Sequence, residues 1–288
     1  MVILLGLAAA VLYGGGDFLG GMATRRVHVL TVLTMVETAG VIAALAIAAA
    51  WSGAAGLADL AGLVWGVSAG LIGGLGLIVF YAGLAAGPMS VVAPVSGLVS
   101  TVLPVGVALA EGERPGPAVY AGALLCLVAI VLASSAGEQG PARQPGWLGR
   151  AIAYGTAAGV SFGLFFLLIR NAGQSGAVWP VASARIGELA AVLAAAAVVR
   201  PGLLPGMRHS AGGRLPLVAA GAGVIDVIAN ICYVAATRTG SFGLAVVLAS
   251  LYPGVTVLLA RVVLGERLRW VQRLGLALAA FGILLVAA

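Results

Sequence analysis

Apolar residues run along this chain in blocks of about twenty, separated by short clusters of Gly, Pro and Arg. The blocks lie near 2–22, 29–51, 60–86, 89–110, 117–135, 149–171, 178–199, 215–236, 242–264 and 270–288. A hydrocarbon core about 30 Å thick is crossed by a helix of about 20 predominantly apolar residues, so each block is long enough to span. Membrane strands would instead show segments of roughly ten residues with alternating polarity. Here Ala, Leu and Gly run without alternation. The pattern predicts an all-α integral membrane protein with ten transmembrane helices. The opening MVILLGLAAAVLYGGGDFLGGMATRR lacks a basic start, and its apolar run is longer than that of a secretion signal, so it reads as a retained first helix.

Composition agrees. Of 288 residues, 62% are hydrophobic and 8% are charged, whereas soluble domains carry roughly 25% charged residues. So few charges cannot cover a water-facing surface, and the expected solvent is a lipid bilayer, here the cell (plasma) membrane. All 15 basic residues are Arg, and they fall singly or in pairs between apolar blocks. With no basic stripe interleaved with aromatics, the net charge of +6 does not point to a nucleic-acid partner. Cys126 and Cys232 lie inside apolar blocks without metal-ligand spacing, so no metal site is expected. A chain without Lys has no phosphate-binding G-x-x-x-x-G-K-[ST] loop, and its Gly-rich strings GGLGLI and GAGVID lack a strand-turn-helix setting. No cofactor is expected, and ATP does not drive the protein directly.

The segment 136–148, rich in Gly, Pro and Gln, divides the chain into two five-block halves, residues 1–135 and 149–288. Gly87 aligns with Gly240, and Gly112-Glu113-Arg114 with Gly265-Glu266-Arg267, all at an offset of 153. Glu37 pairs with Glu188, Tyr13-Gly14 with Phe162-Gly163, and Tyr81 with Tyr233, at offsets close to that value. Several ordered matches at a near-constant offset indicate a duplication. Because five is odd, the second half enters the membrane from the opposite face. Such an inverted repeat is shared by many secondary transporters, with the solute site near the midplane.

Two five-helix repeats of this length, each with a Gly-Glu turn after its fourth helix, resemble the EamA-type family of the drug/metabolite transporter superfamily across essentially the whole chain. In that family a Pro commonly precedes the turn glutamate, as Pro253 precedes Glu266; the matching position in the first repeat is Ser100, with Pro94 and Pro104 to either side. The resemblance implies a kinked fourth helix in each repeat. It also implies export of amino acids, related metabolites or drugs, and both termini inside the cell. The arginines argue differently. Ten of them (25, 26, 143, 150, 200, 208, 214, 267, 269 and 273) fall in loops on one face and three (114, 170 and 238) on the other. Since cytoplasmic loops are Arg-rich, this count places both termini outside.

The ionisable residues within the apolar blocks are Asp17, Glu37, Arg185, Glu188, Asp226 and Arg261. A charge at a helix centre costs at least about 2.5–3.5 kcal/mol, so these groups are expected to face the protein interior or water. Arg185 and Glu188, at i, i+3, are spaced for a local ion pair. Glu37, with no Arg on its own segment, is expected to be the more exposed of the two glutamates. Arg261, near a segment end, is expected to reach the interface. Asp226 and Asn230 at i, i+4, with Tyr233 a turn on, form a polar stripe suited to a cavity wall. Asp17 follows Gly14-Gly15-Gly16, which suit either a loosened helix or a small-residue packing face. The spacing of Gly66, Gly70 and Gly74 predicts close helix packing. The Gly-Glu turns read as helix ends, each with its glutamate at the positive end of the next helix.

The candidate cavity or coupling residues are therefore Asp17, Glu37, Tyr81, Glu188, Asp226, Asn230 and Tyr233. They suit a secondary active transporter working by alternating access on a small-molecule solute, with a carboxylate that gains and loses a proton. The alternative is an intramembrane enzyme such as an aspartyl protease using Asp17 and Asp226. Gly14-Gly15-Gly16-Asp17 satisfies the G-x-G-D pattern of such enzymes, but Asp226 follows Ile225 where a Tyr-Asp pair is expected.

Overall fold

The computed structural model describes residues 1–24, 27–52, 59–86, 89–114, 116–134, 146–172, 176–199, 214–264 and 270–287. Among these, every regular element is an α-helix. The first five are α1 (Val2–Thr24), α2 (Val29–Ser52), α3 (Leu60–Ala86), α4 (Met89–Ala110) and α5 (Pro117–Ser134). There follow α6 (Trp147–Ala172), α7 (Val178–Val199), α8 (Leu215–Thr239), α9 (Phe242–Ala249), α10 (Tyr252–Leu264) and α11 (Trp270–Ala287). Seven of them, α1 to α4 and α6 to α8, are long and apolar enough to cross a membrane. Leu4, Ile42, Val64, Val102 and Leu217 stand exposed on these helices, which is the surface that lipid rather than water solvates. The molecule is an all-helical membrane protein.

The two halves of the chain interleave. α1 packs along α8, α3 along α6 and α7, α4 along α6, α2 along α7 and α8, and α5 along α11. Small residues set the closest approaches. A Cβ on Gly70 would strike the Ala184 backbone of α7, and one on Gly74 would come within 2.9 Å of the Ala191 Cβ and the Glu188 carbonyl oxygen. The Gly66–Gly70–Gly74 ridge is thus the α3–α7 contact, as its spacing predicted. The glycines of α1 act in the same way. This helix is unbroken, and Gly14 lets it lie against α10, where a Cβ would stand 2.7 Å from the Tyr252 carbonyl oxygen.

The ninth apolar block is not one helix, contrary to the sequence reading. It breaks at Ser250 and Leu251, between α9 and α10. Pro253 has no N–H for the carbonyl of Ala249, and its ring crowds that carbonyl, so the helix cannot run through. It closes instead with Leu251 N donating to Leu248 O at 3.2 Å, and restarts with Gly254 N donating to Leu251 O at 3.0 Å. α4 is unbroken despite Pro94 and Pro104, so the expected kink takes the form of a break only in the second half.

Glu113 departs from expectation too. Its carboxylate accepts from the Ser241 hydroxyl at 2.6 Å, Phe242 N at 2.8 Å and Gly243 N at 3.2 Å, and so caps α9 rather than the next helix, α5. Ser241 completes the cap by accepting from Leu244 N at 3.2 Å. A carboxylate at a helix N-terminus satisfies orphan amides and meets the positive end of the dipole. Nearby, Arg170 pairs with Glu111 at 2.7 Å, and its guanidinium carbon lies 4.1 Å from the centre of the Phe242 ring. Glu266 and Arg267 of the second Gly-Glu turn lie outside the described residues, as does the side chain of Arg261.

Candidate functional site

The charged groups that the apolar blocks carry converge between the helices. Arg185 of α7 is 1% exposed and Glu37 of α2 is 0% exposed, yet the Arg185 Nη1 donates to Glu37 Oε2 at 3.1 Å. The same nitrogen lies 2.9 Å from Glu188 Oε2, one turn along α7. The other terminal nitrogen, Nη2, is ion-paired and hydrogen-bonded to Asp226 Oδ2 of α8. One guanidinium therefore ties three carboxylates from three helices, a formal charge of −2 from three acids and one base. Glu37 Oε1 and Glu188 Oε2 find no hydrogen-bond donor among the described residues. Gly40 and Gly223 make room for the cluster. A Cβ on Gly40 would stand 3.2 Å from the Arg185 Cδ, and one on Gly223 would strike the Val36 carbonyl of α2.

Beside the cluster is a cavity of about 450 Å³, counting the open space at its mouth. Its polar wall holds Asp17 of α1, Arg185 and Glu188 of α7, and Asp226 and Asn230 of α8. Its apolar wall is mostly aromatic: Tyr13 of α1, Phe162, Phe165 and Phe166 of α6, and Tyr252 at the start of α10, with Gly73 and Leu77 of α3. Tyr13 donates to Asn230 Oδ1 at 2.8 Å, and Asn230 Nδ2 donates back to the Asp226 carbonyl oxygen at 2.9 Å, so the i, i+4 stripe of α8 is held facing α1. The Tyr13 ring lies 6.2 Å from Phe166, tilted, and 6.3 Å from Tyr252, edge to face. The Tyr252 hydroxyl is 3.3 Å from the Ser96 hydroxyl of α4. Asp17 makes no hydrogen bond or ion pair with any described residue.

Of the seven residues singled out from sequence, Asp17, Glu188, Asp226 and Asn230 lie on the cavity wall. The other three do not. Glu37 is sealed behind Arg185, the reverse of its expected exposure, because its partner comes from a helix 148 positions away. Tyr81 is buried against Gly20 and packs edge-on to Phe80 at 5.8 Å. Tyr233 sits one layer back, 4.6 Å from the Phe166 ring, and donates to the Phe166 carbonyl oxygen at 3.3 Å. Sequence reasoning left Arg185 in a local pair with Glu188, whereas it is the hub of the cluster. It also passed over Tyr13 and the Phe162, Phe165 and Phe166 face, since aromatics at helical spacing look the same in a core as around a cavity.

Helices of membrane-spanning length packed around a charged, aromatic-walled chamber define a polytopic membrane protein with a polar interior. Its second half, residues 149–288, matches the model of the EamA-like transporter family. Among solved structures 16 chains match. One crystal structure has a TM-score of 0.74 at 20% identity, covering 99% of this chain and 95% of the other. At that identity the likeness concerns the fold alone. The comparison with curated proteins found no match.

Proposed function

We propose that the protein is a secondary transporter of the cell membrane that moves small organic solutes (metabolites, amino acids or drugs) outward by alternating access. The observation that carries this reading is the cavity itself, whose wall is drawn from α1 and α3 of the first half and from α6, α7, α8 and α10 of the second. A solute held there touches both halves, so rocking one half against the other would change the side to which the chamber opens.

We read the architecture as two inverted five-helix repeats, residues 1–135 and 149–288 about a 136–148 linker, with α9 and α10 together forming one broken span. Three features support this. The helix contacts exchange in pairs: α1 with α8 mirrors α6 with α3, and α2 with α8 mirrors α7 with α3. Helix ends that this reading puts on one face are in contact: Val2 packs against Gly240, Glu113 caps Ser241 and Phe242, and Arg170 pairs with Glu111. The break before Tyr252 opens beside the cavity, as the discontinuous helices of transporters do.

Four acids and one base near the chamber leave negative charge that burial makes costly, and a proton taken up and released at Asp17 or Asp226 is the proposed coupling step. Asp17 and Asp226 also line one cavity, which favours the aspartyl protease reading as the alternative. That chemistry needs two carboxyls sharing a proton, whereas Asp226 is already engaged by Arg185. Flux into liposomes tests the proposal. Solute movement lost in Asp17→Asn and Asp226→Asn, with the monodisperse folded protein retained, is expected. Full flux in both variants removes these acids from the mechanism, and cleavage of a membrane peptide without flux favours the enzyme.

A further inference from the structure

The charge of the chamber narrows the solute, an inference that rests on the cavity being the transport site. We propose that it takes an organic cation, an amine or quaternary ammonium on an aromatic or aliphatic body, with Asp17 as counter-ion.

The first ground is the sign of the wall. Asp17, Glu188 and Asp226 face the cavity against a single base, Arg185, whose guanidinium is 1% exposed and engaged by three carboxylates. An anion or the carboxylate of an amino acid would meet acids and find that arginine occupied. The positive end of α10 offers little instead. The amides of Leu251, Gly254 and Val255 are bonded to chain carbonyls, and Pro253 has none.

The second ground is an unsatisfied acceptor. Asp17 is half-buried and without a hydrogen-bond or ion-pair partner among the described residues. Glu188 adds a carboxylate to the same wall, but its Oε2 is already ion-paired with Arg185 at 2.9 Å. A bound ammonium supplies both the charge and the N–H groups that Asp17 lacks.

The third ground is the opposite wall. Tyr13, Phe162, Phe166 and Tyr252 line the chamber with aromatic rings, and the faces of such rings attract cations, most strongly when water is excluded.

The test compares three probes of one shape on the purified full-length protein: phenethylammonium, 2-phenylethanol and 3-phenylpropionate, with binding followed by tryptophan fluorescence. The expected order is ammonium first, alcohol second and carboxylate last, with about a ten-fold gap between the first two. Asp17→Asn should narrow that gap, and Phe166→Leu should weaken the ammonium alone. Carboxylate binding as tight as ammonium, or a gap undiminished in Asp17→Asn, overturns the inference, and the ranking in the unaltered protein decides the matter even if a variant does not fold. Liposome flux separates the two claims. Ammonium binding without flux keeps the ligand class and overturns transport, whereas flux of a carboxylate with no ammonium binding does the opposite.

Discussion

Arg185 Nη1 and Glu37 Oε2 stand 3.1 Å apart across 148 residues of sequence, and neither side chain is more than 1% exposed. This bond joins α2 of one half to α7 of the other at the point where both meet the charged cluster. Replacing Arg185 by Met leaves the buried Glu37 and Glu188 and the partly buried Asp226 without their common cation, and breaking a buried pair in this way costs about 3–5 kcal/mol. We expect Arg185→Met to lower the melting temperature in detergent sharply and Glu37→Gln to lower it less, because Glu188 and Asp226 still hold the guanidinium. Equal melting of Arg185→Met and the unaltered protein would show that the cluster does not hold the halves together.

The α3–α7 contact depends on the absence of a side chain at Gly70, where a Cβ would run into the Ala184 backbone. Gly70→Ala should force the helices apart and cost about 1–3 kcal/mol, the usual range for overpacking. Gly221 of α8 has nothing within 4 Å of a built Cβ, so Gly221→Ala should be neutral or slightly stabilising as a better helix former. Thermal melts of the two variants side by side check this, and a Gly70→Ala protein as stable as Gly221→Ala would refute the close-packing account.

Glu113 serves three donors at the start of α9. Removing a helix cap costs about 0.5–2 kcal/mol, so Glu113→Ala should destabilise by that order and Glu113→Gln by less, since one acceptor oxygen remains. Because the lost bonds lie at the start of α9, labelling of a cysteine placed at Gly240 should speed up in Glu113→Ala. Unchanged labelling would place the effect elsewhere.

The arginine count predicts that the face bearing loops 25–26, 143–150, 200–214 and 267–273 is cytoplasmic and that both chain ends are outside. Compartment-sensitive reporters fused to each end should both report the outer face. Two inner-face signals would show that the loop charges do not set the orientation of this chain.

The sequence alone determined that this is an all-helical membrane protein, because runs of about twenty apolar residues have one stable form in lipid, where every backbone N–H and C=O must be bonded within its own segment. It also marked Asp17, Glu188, Asp226 and Asn230, since acids and amides in oil stand out against Ala and Leu. The Gly66–Gly70–Gly74 ridge was legible for a related reason, as spacing on one helix needs no knowledge of the partner. What only the tertiary structure decided is pairing across the halves: Arg185 with Glu37 and Asp226, Glu113 with α9, and which aromatics wall the cavity. These depend on which helix faces are brought together over more than a hundred residues, and one-dimensional spacing carries no record of that. The break at Ser250 lies between the two cases, since Pro253 announced a disturbance but only packing chose a break there and a continuous helix through Pro94 and Pro104.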